Sequence, residues 1–413
     1  MTRTAALMTS ILGIVAACGQ SGGPPATTVT GDDAATDAGA DSASFDASLP
    51  SDAADSGCTG TLTPCSAVCV DLLGDGTNCG ACGHACASPK TACAAGQCTC
   101  PIAECGGGCI DTAVDTANCG ACGVQCGGVC ASGRCLVTLS SGDYSPMAIA
   151  VDGSYVYWGI YGGPIKRVPV TGGTSEVLAT GGGPQPSFIF VDATAVYWLH
   201  TIYAGIQSVP VAGGPTVNLT GSDSTPYSFT VDATYMYWVD YGGFRKMPLA
   251  GGDVYDFQMT GYSTGGPIAV DSSRIYFGAY FGNSYGLYAI PIGGGPPVTK
   301  YVDGQSVSHI ALSPSRVYWA NSNGDICSIH KSGGPILVHA TKQFQPRDLK
   351  VDATSVYWGT VDGMIAKAPL NGSAVTVLKP KTQLSTPFAL AVDETSIYWT
   401  EYALGTVMKL TPK

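Results

Sequence analysis

Sixteen of the eighteen cysteines crowd into residues 58–135, and sulfur is the most reactive chemistry that the sequence offers. They fall into two copies. The first runs Cys65-x3-Cys69-x9-Cys79-x2-Cys82-x3-Cys86, then Cys93 and Cys98. The second runs Cys105-x3-Cys109-x9-Cys119-x2-Cys122-x3-Cys126, then Cys130 and Cys135. Cys58 and Cys100 make the set even. Cys-x-x-Cys pairs can hold zinc or exchange disulfides, whereas cysteine-dense exported domains use the sulfurs as cross-links. The residues ahead of this block read as an export signal, so eight disulfides are expected, their connectivity open. Two cysteines stand outside this set, Cys18 near the start of the chain and Cys327 in the strand-like "GDICSIHKSGG", and Cys327 is expected to be a free thiol.

Other catalytic chemistry is sparse. The five histidines (84, 200, 309, 330, 339) are scattered, with no legible nucleophile–base pairing. No phosphate loop, zinc-helix motif or dinucleotide fingerprint occurs. No cofactor and no metal are expected, although a channel calcium site would draw ligands from separate repeats and escape a linear reading. With 30 acidic against 19 basic residues, net charge −11, nucleic acid is not an expected partner.

Among the 413 residues, 56 are Gly and Glu is nearly absent, which points to an all-β body. Arg3, the apolar stretch from Leu7 to Ala17 and "VAAC" (15–18) form a targeting segment. It resembles the bacterial lipoprotein signal, which implies acylation of Cys18, export, and a lipid anchor in the outer membrane or cell surface of a Gram-negative bacterium; the membrane is met through that anchor alone. Residues 19–57 hold seven Asp, no Lys or Arg and one aromatic, Phe45. This composition gives a disordered acidic linker. Residues 58–135 form the cysteine-rich domain. Its "CVDL…NCGACG" pattern resembles the stigma-specific cysteine-rich family, which implies an extracellular module with no activity attached.

From 136 to 413 a phrase recurs every 39 to 42 residues: "VDGSYVYW" (151–158), "VDATAVYW", "VDATYMYW", "VDSSRIYF", "LSPSRVYW", "VDATSVYW", "VDETSIYW". Its acids are Asp152, Asp192, Asp232, Asp271, Asp352 and Asp393, with Ser313 in the fifth copy. Its aromatics are Trp158, Trp198, Trp238, Trp319, Trp358 and Trp399, with Phe277 in the fourth. A period near 40 with strand signals means propeller blades. One repeat divides into 147–152, 155–160, 165–170 and 174–179. Glycine pairs after the third piece suit a two-residue hairpin, and Pro169, Pro210, Pro248, Pro291 and Pro369 end that piece. A blade has neighbours on both faces. Successive Tyr and Trp then point to opposite neighbours, the indole N–H seeking a backbone acceptor, while Asp caps the first turn. The last repeat lacks its outer strand, which "CLVTLSS" (135–141) can supply, closing a seven-bladed ring. The phrase also resembles the YWTD and low-density-lipoprotein-receptor propellers, a resemblance that implies six blades as the alternative.

The loops between second and third strands vary, and they carry Tyr161, Tyr203, Asp240, Tyr241, Tyr280, Tyr285, Asn321, Asp362 and Tyr402 as candidate ligand-binding residues. Tyr144, Tyr262 and Phe344 join them from the loops entering each blade. This Tyr, Gly and Asn mixture is typical of adaptable binding surfaces. The expected function is a surface-anchored binding or adhesion module with a protein or polysaccharide partner. The alternatives are a lyase- or lactonase-type propeller enzyme with a metal at the channel mouth, and a purely structural envelope protein. Three or more carboxylates or carboxamides converging on the channel would favour the enzyme.

Overall fold

The computed structural model describes residues 58–413, apart from 67, 181–185, 201–204, 222–224, 241–242, 258–261, 264, 282 and 383–384. The signal segment, Cys18 and the acidic linker therefore lie outside the described residues, as do Tyr203 and Tyr241. The chain divides into two compact units, with the boundary at Gln125/Cys126.

In the first unit, short hairpins (Thr63–Cys65 with Val68–Val70, Ala92–Ala94 with Gln97–Thr99, Ala103–Cys105 with Gly108–Ile110) are cross-linked by sulfur. The first copy pairs Cys58–Cys69, Cys65–Cys82, Cys79–Cys93 and Cys86–Cys98. The second repeats the scheme with Cys100–Cys109, Cys105–Cys122 and Cys126–Cys135, and Cys119 and Cys130 are likewise disulfide-bonded. The "NCGACG" cores are turns. Asn78 Oδ1 accepts from Gly83 N and Asn118 Oδ1 from Gly123 N, both at 2.8 Å. Cys79, Cys86 and Cys98 have the spacing of a metal site, but their sulfurs are spent in disulfides. Little apolar core is available here, so the cross-links stabilise by restricting the unfolded chain.

The second unit is a ring of seven antiparallel sheets, which excludes the six-bladed alternative. In the first blade the strands are Pro146–Val151, Tyr155–Ile160, Ile165–Pro169 and Glu176–Ala179, innermost to outermost. The innermost strands neighbour one another around the ring, and the seventh touches the first. The closing strand runs Arg134–Ser140 and pairs with Thr406–Thr411, so the last blade takes its outer strand from the start of the unit. Val129–Ala131 adds a further strand there, and Cys126–Cys135 staples it. Closure removes an open edge that would otherwise offer unpaired backbone groups.

Seven apolar clusters lie between consecutive blades. Each joins the Tyr of one phrase to the Trp or Phe of the next: Tyr157 with Trp198, Tyr197 with Trp238, Tyr237 with Phe277, Tyr276 with Trp319, Tyr318 with Trp358, Tyr357 with Trp399, and Tyr398 with Trp158. All six indoles are buried to 1% exposure or less.

Three expectations need correction. Cys327 is disulfide-bonded, and no free thiol occurs among the described residues. The glycine pairs do not form two-residue hairpins. In the first blade the third strand ends at Pro169 and the fourth begins at Glu176, and Gly172 and Gly173 take positive φ (89° and 128°) inside the longer connection. Nor does the indole N–H seek backbone in five of the six tryptophans. Five tryptophans donate to side chains: Trp158 to Asp143 (3.0 Å), Trp198 to His200 (2.9 Å), Trp319 to Gln305 (3.2 Å), Trp358 to Gln343 (3.0 Å) and Trp399 to Glu401 (2.6 Å).

Candidate functional site: the loop face and the channel mouth

The phrase locks the opposite end of each blade. Asp152 Oδ1 accepts from the backbone N–H groups of Ser154 and Tyr155 at 2.7 Å, and Oδ2 accepts the Tyr157 hydroxyl at 2.8 Å. The same arrangement recurs at Asp192, Asp232, Asp271, Asp352 and Asp393, with phenol bonds of 2.6–3.1 Å. Burial and the adjacent carboxylate push the Tyr157, Tyr237, Tyr276 and Tyr398 phenols up, and Tyr357 to about 12. Burial opposes the Asp271 and Asp352 carboxylates, but Lys331 and Lys413 at 2.7 Å and backbone N–H donors outweigh it and hold both well below the usual range. In the fifth blade Ser313 replaces Asp. Its hydroxyl accepts from Arg316 N at 3.1 Å, and the buried Tyr318 hydroxyl has no hydrogen-bond partner.

Antiparallel strand order sends the loops between second and third strands, and those entering each blade, to one common face. The exposed rings there gather in pairs. Tyr144 and Tyr161 meet edge-on at 6.2 Å, and Tyr280 and Tyr285 lie 4.8 Å apart; Tyr402 stacks at 5.4 Å on the half-buried Phe388 of the innermost strand. Tyr144 is 72% exposed, Tyr285 54% and Phe344 54%. The Tyr280 pair sits on the fourth blade's hairpin, Arg274–Phe281 with Ser284–Pro291, whose strands are the longest in the ring. Candidates Tyr161, Tyr280, Tyr285 and Tyr402 therefore stand on the face.

The polar candidates do not join them. Asp240 is 3% exposed and bound to Arg245 at 2.6 Å. Asn321 is 1% exposed, and its Oδ1 caps Asn323 N and Asp325 N. Asp362 is half-buried and paired with Lys381 at 2.6 Å. These side chains shape the loops from beneath. Glu401 is buried too. It takes the Trp399 N–H and the Ser385 hydroxyl, with Lys379 donating to the same Ser385 at 2.6 Å.

The face surrounds a central channel of about 560 Å³, lined by the innermost strands of all seven blades. Its wall is two-sided. The second and third blades contribute Phe188, Phe190 and Phe229, with Phe190 and Phe229 packed edge-on at 4.9 Å. Across the ring, the fifth and sixth blades contribute His309, Arg347, Asp348 and Lys350. Asp348 Oδ1 meets Lys350 at 3.1 Å, and Oδ2 accepts Leu390 N of the seventh blade at 2.8 Å. Burial pushes the His309 imidazole below its ordinary pKa, against the pull of Asp348, so it is neutral at pH 7. A register shift between Pro346 and Asp348 leaves Arg347 unpaired in the ladder. Such a bulge re-aims a side chain, and the guanidinium lies over the Phe388 ring at 5.2 Å.

This channel wall was not singled out from the sequence. Its trace was present: "PRDLKV" (346–351) places three charged residues in a strand slot that elsewhere reads "MAIAV" (147–151). Among the described lining residues Asp348 is the single carboxylate and there is no carboxamide, so the acidic convergence that would favour an enzyme is not formed there.

No protein-family model matches the chain, and no curated protein is similar to it in sequence. The stigma-specific and YWTD resemblances therefore rest on the quoted residues alone. Among solved structures, the virginiamycin B lyase of Staphylococcus aureus superposes with TM-score 0.56 at 15% identity, covering 67% of this chain and 98% of that one. A catalytically inactive variant of that lyase with Quinupristin gives TM-score 0.54 at 15% identity and the same coverage. A computationally designed protein gives 0.50 at 14% identity, with 67% and 98% covered. At such identities the likeness shows the fold: this chain carries a seven-bladed β-propeller behind a disulfide-rich N-terminal region.

Proposed function

We propose that the protein is a binding module whose propeller loop face engages a protein or polysaccharide ligand. One observation carries this reading: exposed aromatic rings are paired on a single face, at Tyr144–Tyr161 and Tyr280–Tyr285, with the exposed Tyr402 beside them. Rings held by a neighbouring ring lose little freedom on binding, and they bury large area with a polar edge left over for hydrogen bonds. The site rests on rigid blades, which favours recognition without rearrangement. Lipid attachment at Cys18 and the acidic tether over 19–57 complete the proposal by displaying the module at a cell surface.

The test is a screen of the full-length protein against glycan arrays and cell-surface protein extracts, repeated with Tyr285→Ala and Tyr402→Ala. A bound ligand that is retained by the parent and lost by either variant supports the loop face. Binding that persists in both variants moves the site to the cysteine-rich region and ends this reading.

A further inference from the structure

We propose that the channel mouth is a second, separate binding site, for a small organic acid with an apolar or aromatic body and a single carboxylate head. The head would meet Arg347. This chain holds 30 acidic and 19 basic residues, so a basic side chain has many possible partners. Yet among the described residues Arg347 makes no ion pair, and its guanidinium lies over the face of Phe388. Phe388 in turn stacks on Tyr402. The guanidinium is thus oriented by an aromatic surface while its N–H edge stays open, the arrangement that suits bidentate carboxylate recognition.

The rest of the wall sets the charge and the body of the ligand. Lys350 is neutralised by Asp348, and Asp348 is fixed by the backbone of Leu390. His309 adds no charge. The lining therefore carries one uncompensated positive charge and calls for a monoanion. Opposite lie Phe188 and Phe190, an apolar surface for the ligand's body. About 560 Å³ is within the range of small-molecule sites.

The probes are 2-naphthoate and its neutral amide, 2-naphthamide, titrated into the full-length protein by calorimetry. The expected result is saturable one-to-one binding, with naphthoate at least about tenfold tighter than the amide, as a charge-assisted pair requires. Arg347→Met should bring naphthoate down to the level of the amide with no change in melting temperature, since Arg347 is exposed and unpaired. Phe188→Ala should weaken both probes together. Equal affinity for the two probes overturns the proposal, as does discrimination that survives Arg347→Met, or no saturable binding of either. Tyr285→Ala, which tests the loop face, should leave naphthoate binding unchanged, so failure of one reading is distinguishable from failure of the other.

Discussion

The fifth blade allows one substitution to be judged against itself. Tyr357→Phe and Tyr318→Phe each remove one phenolic oxygen from the same slot of adjacent blades. Tyr357 donates to Asp352 at 2.8 Å, and both rings are fully buried. A hydrogen bond to a charged acceptor contributes about 1.5–3 kcal/mol. Asp352 keeps two backbone donors, the Thr354 hydroxyl and Lys413 after the change, so the lower half of that range applies. We expect Tyr357→Phe to cost about 1.5–2 kcal/mol. The buried Tyr318 hydroxyl has no hydrogen-bond partner. Removing a buried hydroxyl that is unsatisfied relieves a penalty instead, so Tyr318→Phe should leave stability unchanged or raise it by up to about 1 kcal/mol. The phrase can also be restored: Ser313→Asp should gain about 1 kcal/mol, and only while Tyr318 is present. Urea unfolding at constant m-value measures these three variants and the Ser313→Asp, Tyr318→Phe double variant. If Tyr318→Phe and Tyr357→Phe destabilise equally, the Asp–Tyr lock does not act as described.

Three further outcomes follow from the same geometry. Trp358→Ala empties a fully buried slot between the fifth and sixth blades and should cost about 3–5 kcal/mol by urea unfolding; a loss under 1 kcal/mol would mean that the blades do not depend on the indole. A chain lacking residues 1–141 loses the closing strand and exposes Thr406–Thr411 as an edge; light scattering should show association, and a cooperative monomer would refute the closure argument. Stability should be flat only between about pH 7 and 9; below that, the buried imidazoles of His200, His309 and His339, whose pKa values burial lowers, already cost stability as the unfolded histidines take up protons. The folded pKa values of Asp192, Asp271, Asp352 and Asp393 are depressed, so their contribution is complete above the unfolded carboxylate range and drains as pH falls through the folded values. The phenols of Tyr157, Tyr237, Tyr276 and Tyr398 are raised, so theirs is complete below the unfolded phenol range and is lost as pH rises through the folded values. Thermal melts across pH 2–12 would show two limbs; a single acid limb would contradict the role given to the phenols.

The ring was legible because its constraint is periodic. Tyr and Trp in adjacent strand positions face opposite neighbours, and seven copies with a missing outer strand determine both the blade count and the source of closure. The partner of the phenol was less visible, although Asp152 and Tyr157 keep the same five-residue offset in six copies. The offset has meaning only once the turn folds the two side chains together. The indole acceptors were illegible for a different reason. Asp143, Gln305 and Gln343 lie about fifteen residues before their tryptophans, in loops that share no pattern. Cys327 was misjudged because parity counts sulfurs without placing them. The polar candidates Asp240 and Asn321 were misjudged because a loop position does not reveal whether a side chain turns outward or caps its own turn. Arg347 shows the reverse failure. A charge inside an innermost strand is a local conflict with the pattern, and such conflicts tend to mark sites.

The two ends of a blade obey different chemical rules, and this explains why recognition belongs at one of them. At the constant end, carboxylate, turn and phenol are contained in a single stretch of eight residues, Asp152 to Trp158 with Val151 before them, so any change is punished locally. At the other end the indole N–H asks only for an acceptor. Asp143, Gln305 and Gln343 serve from the loops entering their blades, and His200 and Glu401 from the end of the tryptophan's own strand. A requirement that loose ties each loop down without dictating what its exposed residues are. Tyr144 and Tyr161 beside Asp143, Phe344 beside Gln343, and Tyr402 beside Glu401 are free to differ because their neighbours already hold the loop. The scaffold thus leaves sequence freedom on the face that surrounds the channel, and a ligand met there would select among those rings without disturbing the phrase beneath them.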